Sequence, residues 1–150
     1  MITILTASMT GTADMVAEDV KAALEAAGQA ATIAPMDALA PDVFAPGVYL
    51  ICTSTYGQGD VPDNGQALYN ALESQRPDLS AVRYGVIGLG DSTYVDTFNH
   101  GGKRFDDLLS ALGARRLGAR LEHDAGGAVT AEVAAVEWLK GWLGEVAAVA

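Results

Sequence analysis

Val48-Tyr49-Leu50-Ile51-Cys52-Thr53-Ser54-Thr55-Tyr56-Gly57 decides how the rest of this chain is read. Its first five residues form a continuous apolar run, the pattern of a central strand covered on both faces rather than one face washed by water. Hydroxyls, an aromatic ring and a glycine follow at once, so the strand ends in a turn rich in chemistry. Working outward, the same alternation recurs. A strand over 2–6 precedes a helix over 12–27, with Val16, Val20, Ala23, Leu24 and Ala27 inward and Gly28 ending it. A short strand follows over 31–34, and then Pro35, Pro41 and Pro46 leave room for at most one short helical turn. Beyond the opening stretch come a helix over 65–74, a strand over 84–89, a helix over 101–112 and a fifth strand over 116–121. A last helix runs over 130–146 with Val133, Val136, Leu139 and Leu143 inward. Trp138 and Trp142, four apart on that helix, are read as packing residues.

Strands alternating with helices predict βαβ units: a five-stranded parallel sheet of order 2-1-3-4-5 with helices on both faces. The 150 residues suit a single domain, 1–150, with one buried core. The longest apolar run is too short to span a bilayer, and Met1 leads straight into Ile2-Thr3-Ile4-Leu5 without a basic region. The lone Cys52 allows no internal disulfide and sits in a strand pattern, so it reads as packing. A cytoplasmic location and a monomer are therefore expected. Nineteen acidic against nine basic side chains give a net charge of −10, which argues against a nucleic-acid partner. The surplus either favours docking on basic-surfaced proteins or simply keeps the chain soluble.

Three segments after the first, third and fourth strands carry the chemistry. The first, Ser8-Met9-Thr10-Gly11-Thr12-Ala13, has hydroxyls and no lysine or arginine. At a helix start, its backbone N–H groups and the helix dipole can hold a phosphate dianion; an ordinary helix N-cap uses the same residue types. The second, Thr53-Ser54-Thr55-Tyr56-Gly57-Gln58-Gly59-Asp60, puts a ring beside flexible backbone. The Gly57 carbonyl could turn toward a flavin ring nitrogen that gains a proton on one-electron reduction. The third, Gly88-Leu89-Gly90-Asp91-Ser92-Thr93-Tyr94, with Phe98 and Asn99 beyond, offers a second ring and backbone from Leu89 to Ser92 for the polar edge of a flat cofactor. The set suggests a pocket for flavin mononucleotide.

Asp60, Asp63, Asp91 and Asp96 are the charged residues of these segments, and they would disfavour an anionic, fully reduced flavin. At about 10 Å and intermediate dielectric each contributes roughly 0.4–0.8 kcal/mol, about 2–3 together. At about 59 mV per tenfold for one electron, the potential falls by on the order of 100 mV. Some of these carboxylates also have the option of capping turns.

With these residues quoted, the chain resembles the flavodoxin-like proteins, most closely the MioC-type short-chain flavodoxins. It is also similar to the FMN domain of the sulfite reductase flavoprotein. Val61-Pro62-Asp63-Asn64, Asp96-Thr97-Phe98-Asn99 and Leu117-Gly118-Ala119-Arg120-Leu121-Glu122 fit the resemblance too. It implies a flavodoxin-like three-layer sandwich, noncovalent FMN flanked by Tyr56 and Tyr94, and one-electron transfer between an NAD(P)H-dependent reductase and an acceptor protein. Flavodoxins are themselves a type case of ligands held beyond the carboxyl ends of parallel strands, where the strand order reverses. The second segment lacks the tryptophan of many free-standing flavodoxins, and the Tyr94-to-Phe98 spacing is longer by a single residue than in diflavin reductases. An FMN-dependent quinone or nitro reductase is the alternative, although little chain remains to build a second substrate pocket. A receiver-type signalling domain is set aside, because Thr6-Ala7 and Thr53-Ser54 stand where it needs acids. His100 and His123 lack partners at metal-ligand spacing.

Overall fold

Strand β3 (Gly47–Ser54) is the axis of the molecule: Leu50, Ile51 and Cys52 are fully buried, so both of its faces are covered. The computed structural model describes residues 1–7, 11–54, 63–90, 100–124 and 129–149. Around β3 are β1 (Ile2–Ala7), α1 (Thr12–Ala26), β2 (Ala31–Pro35), α2 (Asp63–Gln75), β4 (Val82–Gly90) and α3 (His100–Ala111). After these come β5 (Arg115–Arg116), β6 (Leu121–Asp124) and α4 (Ala131–Val149). All pairings are parallel, in the order β2-β1-β3-β4-β5, with β6 also on β4. The expected α/β sandwich and strand order are present.

Alternation along each strand divides the core into two layers. Tyr49, Ile51, Tyr84 and Val86 pack with Leu68 and Leu72 of α2 and with Phe105 and Leu109 of α3. Ile2, Ile4, Leu50, Cys52 and Ile87 pack with Val16, Val20 and Leu24 of α1 and with Leu139 and Trp142 of α4. Each layer is closed by a pair of helices, which is why β3 needs no polar side.

Four expectations are corrected. The fifth strand is not continuous over 116–121: it is split into β5 and β6. The last ladder bond runs from Leu117 N–H to Tyr84 O at 2.8 Å, and Gly118, at φ +69° and accepting from Arg116 Nε at 2.9 Å, then turns the chain out of the ladder. The proline-rich stretch holds two 3₁₀ turns, Met36–Ala38 and Pro41–Val43, not one, because Pro41 starts a turn with its fixed φ. Val133 is 55% exposed rather than inward, and Ala131, Ala135, Leu139, Trp142 and Val146 form the buried stripe of α4. On α1 the outlier is Ala27, which is exposed beyond the helix end. Among the described residues no helix is long and apolar enough to cross a membrane.

Candidate functional site

Parallel pairing brings several strand ends to one edge. Ala7 of β1 lies opposite Thr53 of β3, which lies opposite Gly88 of β4, which lies opposite Glu122 of β6. One step on, Ser54 pairs with Leu89 and Leu89 with His123. The strands β1, β3 and β4, which precede residues 8–10, 55–62 and 91–99 in the sequence, therefore all end at the same edge. That convergence is a consequence of topology, since every strand runs the same way.

Of the expected site residues, the structure describes Gly11, Thr12, Ala13, Thr53, Ser54, Leu89 and Gly90. Ser8, Met9, Thr10, Thr55, Tyr56, Gly57, Asp91, Ser92, Tyr94, Phe98 and Asn99 lie outside the described residues, as do Asp60 and Asp96. Thr53 and Ser54 adjoin Leu89 and Gly88 directly. Their side chains play unequal parts. Thr53 is fully buried and its hydroxyl donates to Ser54 O at 3.0 Å, so only its backbone faces outward chemistry. Leu89 is 5% exposed and belongs to the apolar layer beneath α1 and α4, which leaves its main chain at the edge. Asp63 opens α2 instead of standing in the preceding segment.

The start of α1 is built on a glycine rather than on a Ser or Thr cap. Its N-cap is Gly11, at φ +84°, which has no side chain of its own to cap the helix. A Ser or Thr capping its own helix would have taken that role. Any residue with a Cβ is strained at this φ, and among the described residues no atom lies within 4 Å of where one would stand. Met15 N–H already donates to Gly11 O at 3.1 Å, so the helix is wound from its first turn and its positive end points at the strand-end edge. Beneath it, Thr6 Oγ1 is buried with no hydrogen-bond partner among the described residues, one residue before Ala7. A buried hydroxyl left unmatched costs stability, and such groups cluster where function asks for polarity. These features fit the phosphate end of FMN.

Cys52 ties the edge to α1. Its thiol donates to Ala13 O at 3.5 Å, and burial, reinforced by the Asp14 charge, pushes its pKa up to about 12. It is a neutral packing group and not a redox thiol at physiological pH.

Sequence reasoning missed a buried polar cluster on the opposite layer. Asp106 of α3, 4% exposed, accepts hydrogen bonds from Tyr84 Oη at 2.6 Å, from Arg120 Nη1 at 2.6 Å and from Arg116 Nη1. Burial and the Asp106 carboxylate both raise the Tyr84 phenol above its ordinary range. A signal was present: helical spacing puts Asp106 on the same face as Gly102, Phe105 and Leu109, where a charge needs a partner.

The flavodoxin family model matches residues 4–138. The chain is 39% identical over 142 residues to the protein MioC of Escherichia coli K12, covering 95% of each. It is 41% identical over 141 residues to the sulfite reductase [NADPH] flavoprotein alpha-component of Vibrio cholerae, covering 93% of this chain and 22% of that protein. A point mutant of flavodoxin from Pseudomonas aeruginosa superposes with a TM-score of 0.85 at 41% identity, covering 96% of this chain and 97% of that one.

Proposed function

The chain belongs to the flavodoxin family and is an FMN-binding electron carrier; from that premise we propose that it passes single electrons at low potential between a reductase and an acceptor protein. On this reading residues 1–150 act as one cytoplasmic, monomeric domain with no substrate of its own.

The observation that carries the reading is the common edge where Ala7, Thr53 and Gly88 stand side by side. A phosphate held at the start of α1 and a ring lying across the ends of β3 and β4 would belong to one ligand. The hydroxyls of Ser8, Thr10 and Thr12 and the positive end of α1 receive the phosphate, with Met9, Gly11 and Ala13 supplying backbone. Thr53, Ser54 and Thr55 continue the wall. Tyr56 and Tyr94 flank the ring and exclude water from it, and Gly57 presents a carbonyl to its central edge. Main-chain groups of Leu89, Gly90, Asp91 and Ser92 orient the polar rim, with Phe98 and Asn99 beyond. When bound, FMN supplies reversible one-electron exchange, which no side chain of this protein offers.

The net charge of −10 supports partners with basic surfaces. An electron carrier needs such docking to be fast and brief, and steering by charge supplies both. The test is reconstitution. Apoprotein should quench the fluorescence of added FMN stoichiometrically and show a one-electron potential well below that of free FMN. Reduction should need a reductase. Rapid oxidation of NAD(P)H by the purified protein alone would place it among the enzymes instead, and no quenching would remove the cofactor.

A further inference from the structure

Arg116 and Arg120 reach the same carboxylate oxygen, Asp106 Oδ2, from different places. Arg116 belongs to β5 and pairs in register with Tyr84, near the start of β4. Arg120 lies in the link just before β6, whose residues pair with the last four of β4. Its side chain is 17% exposed against 40% for Arg116. It also extends toward Glu122 Oε1 of β6 at 3.6 Å, so two guanidinium and two carboxylate charges balance in one cluster.

The path of the Arg120 stem is what separates it from Arg116. A Cβ built on Gly102 would stand 3.8 Å from Arg120 Cδ and 3.2 Å from both Gly88 Cα and Val86 Cγ1. Arg120 thus lies beside the point where α3 touches β4 backbone against backbone. Gly88 is two residues from the end of β4, and Gly102 is two residues from the start of α3. Those two ends bracket residues 91–99, the segment that carries Tyr94.

We infer that Arg120 is a positioning residue for the flavin: by clamping Asp106 of α3 to the β6 side of β4, it sets the separation of the two ends from which segment 91–99 springs. The inference rests on the FMN reading and deepens it. Arg120 is a poor choice as a stabiliser alone, because its Nε is buried without a hydrogen-bond partner among the described residues, and an unmatched donor lowers stability. Arg116 is the internal control: it bonds the same oxygen yet sits at the far end of β4.

The experiment compares wild type, Arg120→Met, Arg120→Lys and Arg116→Met. Three quantities are measured: the FMN dissociation constant, the visible circular dichroism of bound FMN, and the urea midpoint of the apoprotein. Arg120→Met should weaken FMN roughly tenfold and alter the visible dichroism, a coupling of ordinary size between linked sites. Arg120→Lys, which keeps stem and charge, should recover part of both. Arg116→Met should lower the urea midpoint while leaving affinity and dichroism as in wild type. The inference is overturned if Arg120→Met lowers only the urea midpoint, or if Arg116→Met changes the flavin signals as much. Should Arg120→Met not fold, Arg120→Lys against Arg116→Met decides by the same signals. Wild type that fails to bind FMN would overturn the cofactor reading, and this inference with it.

Discussion

Replacing Gly85 by alanine tests whether α4 is seated on the sheet as described. Gly85 lies in the middle of β4, directly beneath Trp142. A methyl group there would stand 2.8 Å from Trp142 Cε2, 3.0 Å from Leu50 Cδ2, and closer still to Trp142 Nε1. Comfortable carbon contacts are about 3.5–4.0 Å, so the shortfall is about 0.5–1.2 Å. Neither neighbour can yield cheaply. Leu50 is fully buried, and Trp142 is 2% exposed and stacked on Trp138 with ring centroids 5.8 Å apart. Trp138 is itself held by its indole N–H, which donates to Ala119 O at 3.0 Å. Overpacking costs about 1–3 kcal/mol, and a rigid aromatic obstacle argues for the upper half of that range. Alanine returns about 0.4–1 kcal/mol by restricting the unfolded chain. The net loss is about 2 kcal/mol, or a fall in Tm of roughly 4–8 °C for a chain of this length. Urea unfolding followed by far-ultraviolet circular dichroism gives the number. Trp142→Leu in the same background should relieve the clash, with a coupling of about 1 kcal/mol or more in the double-mutant cycle. A Gly85→Ala variant as stable as wild type, or strict additivity of the two changes, would refute the packing argument.

Three further outcomes are expected. Thr10→Val with Thr12→Val should weaken FMN more than riboflavin in fluorescence titrations, since these are the hydroxyls proposed to receive the phosphate; equal losses would remove that assignment. The Cys52 thiol, whose pKa stands at about 12 when folded against an ordinary 9.0, favours the folded state in its protonated form. Its contribution is whole below about pH 9 and is lost as pH rises toward about 12, so Cys52→Ala should show a flatter decline in urea midpoint between neutral pH and about pH 10.5 than wild type. Association with a basic-surfaced redox partner, measured by stopped flow, should slow roughly tenfold or more from low to high ionic strength, and a salt-independent rate would argue against steering by the acidic surface.

The elements legible in the sequence are those whose environment repeats along the chain. β1, β3 and β4 show as apolar runs because the helices of both layers cover them, and α1 shows in the spacing of Val16, Val20 and Leu24. The three chemistry-bearing segments were legible for a related reason: glycine, hydroxyls and aromatics follow strand ends at once, and parallel strands put their ends together. Less legible was the stripe of α4, where abundant alanine and glycine blur the period and Val133 faces out.

Local sequence therefore determined the strand-helix alternation and the glycine- and hydroxyl-rich segments that follow β1, β3 and β4. Each of those follows from periodicity and backbone chemistry within a few residues. Tertiary structure alone decided the break between β5 and β6, the seating of Trp142 on Gly85, and the joining of Tyr84, Asp106, Arg116 and Arg120. These depend on groups far apart in the chain competing for the same space and the same oxygen, and no local pattern encodes that competition.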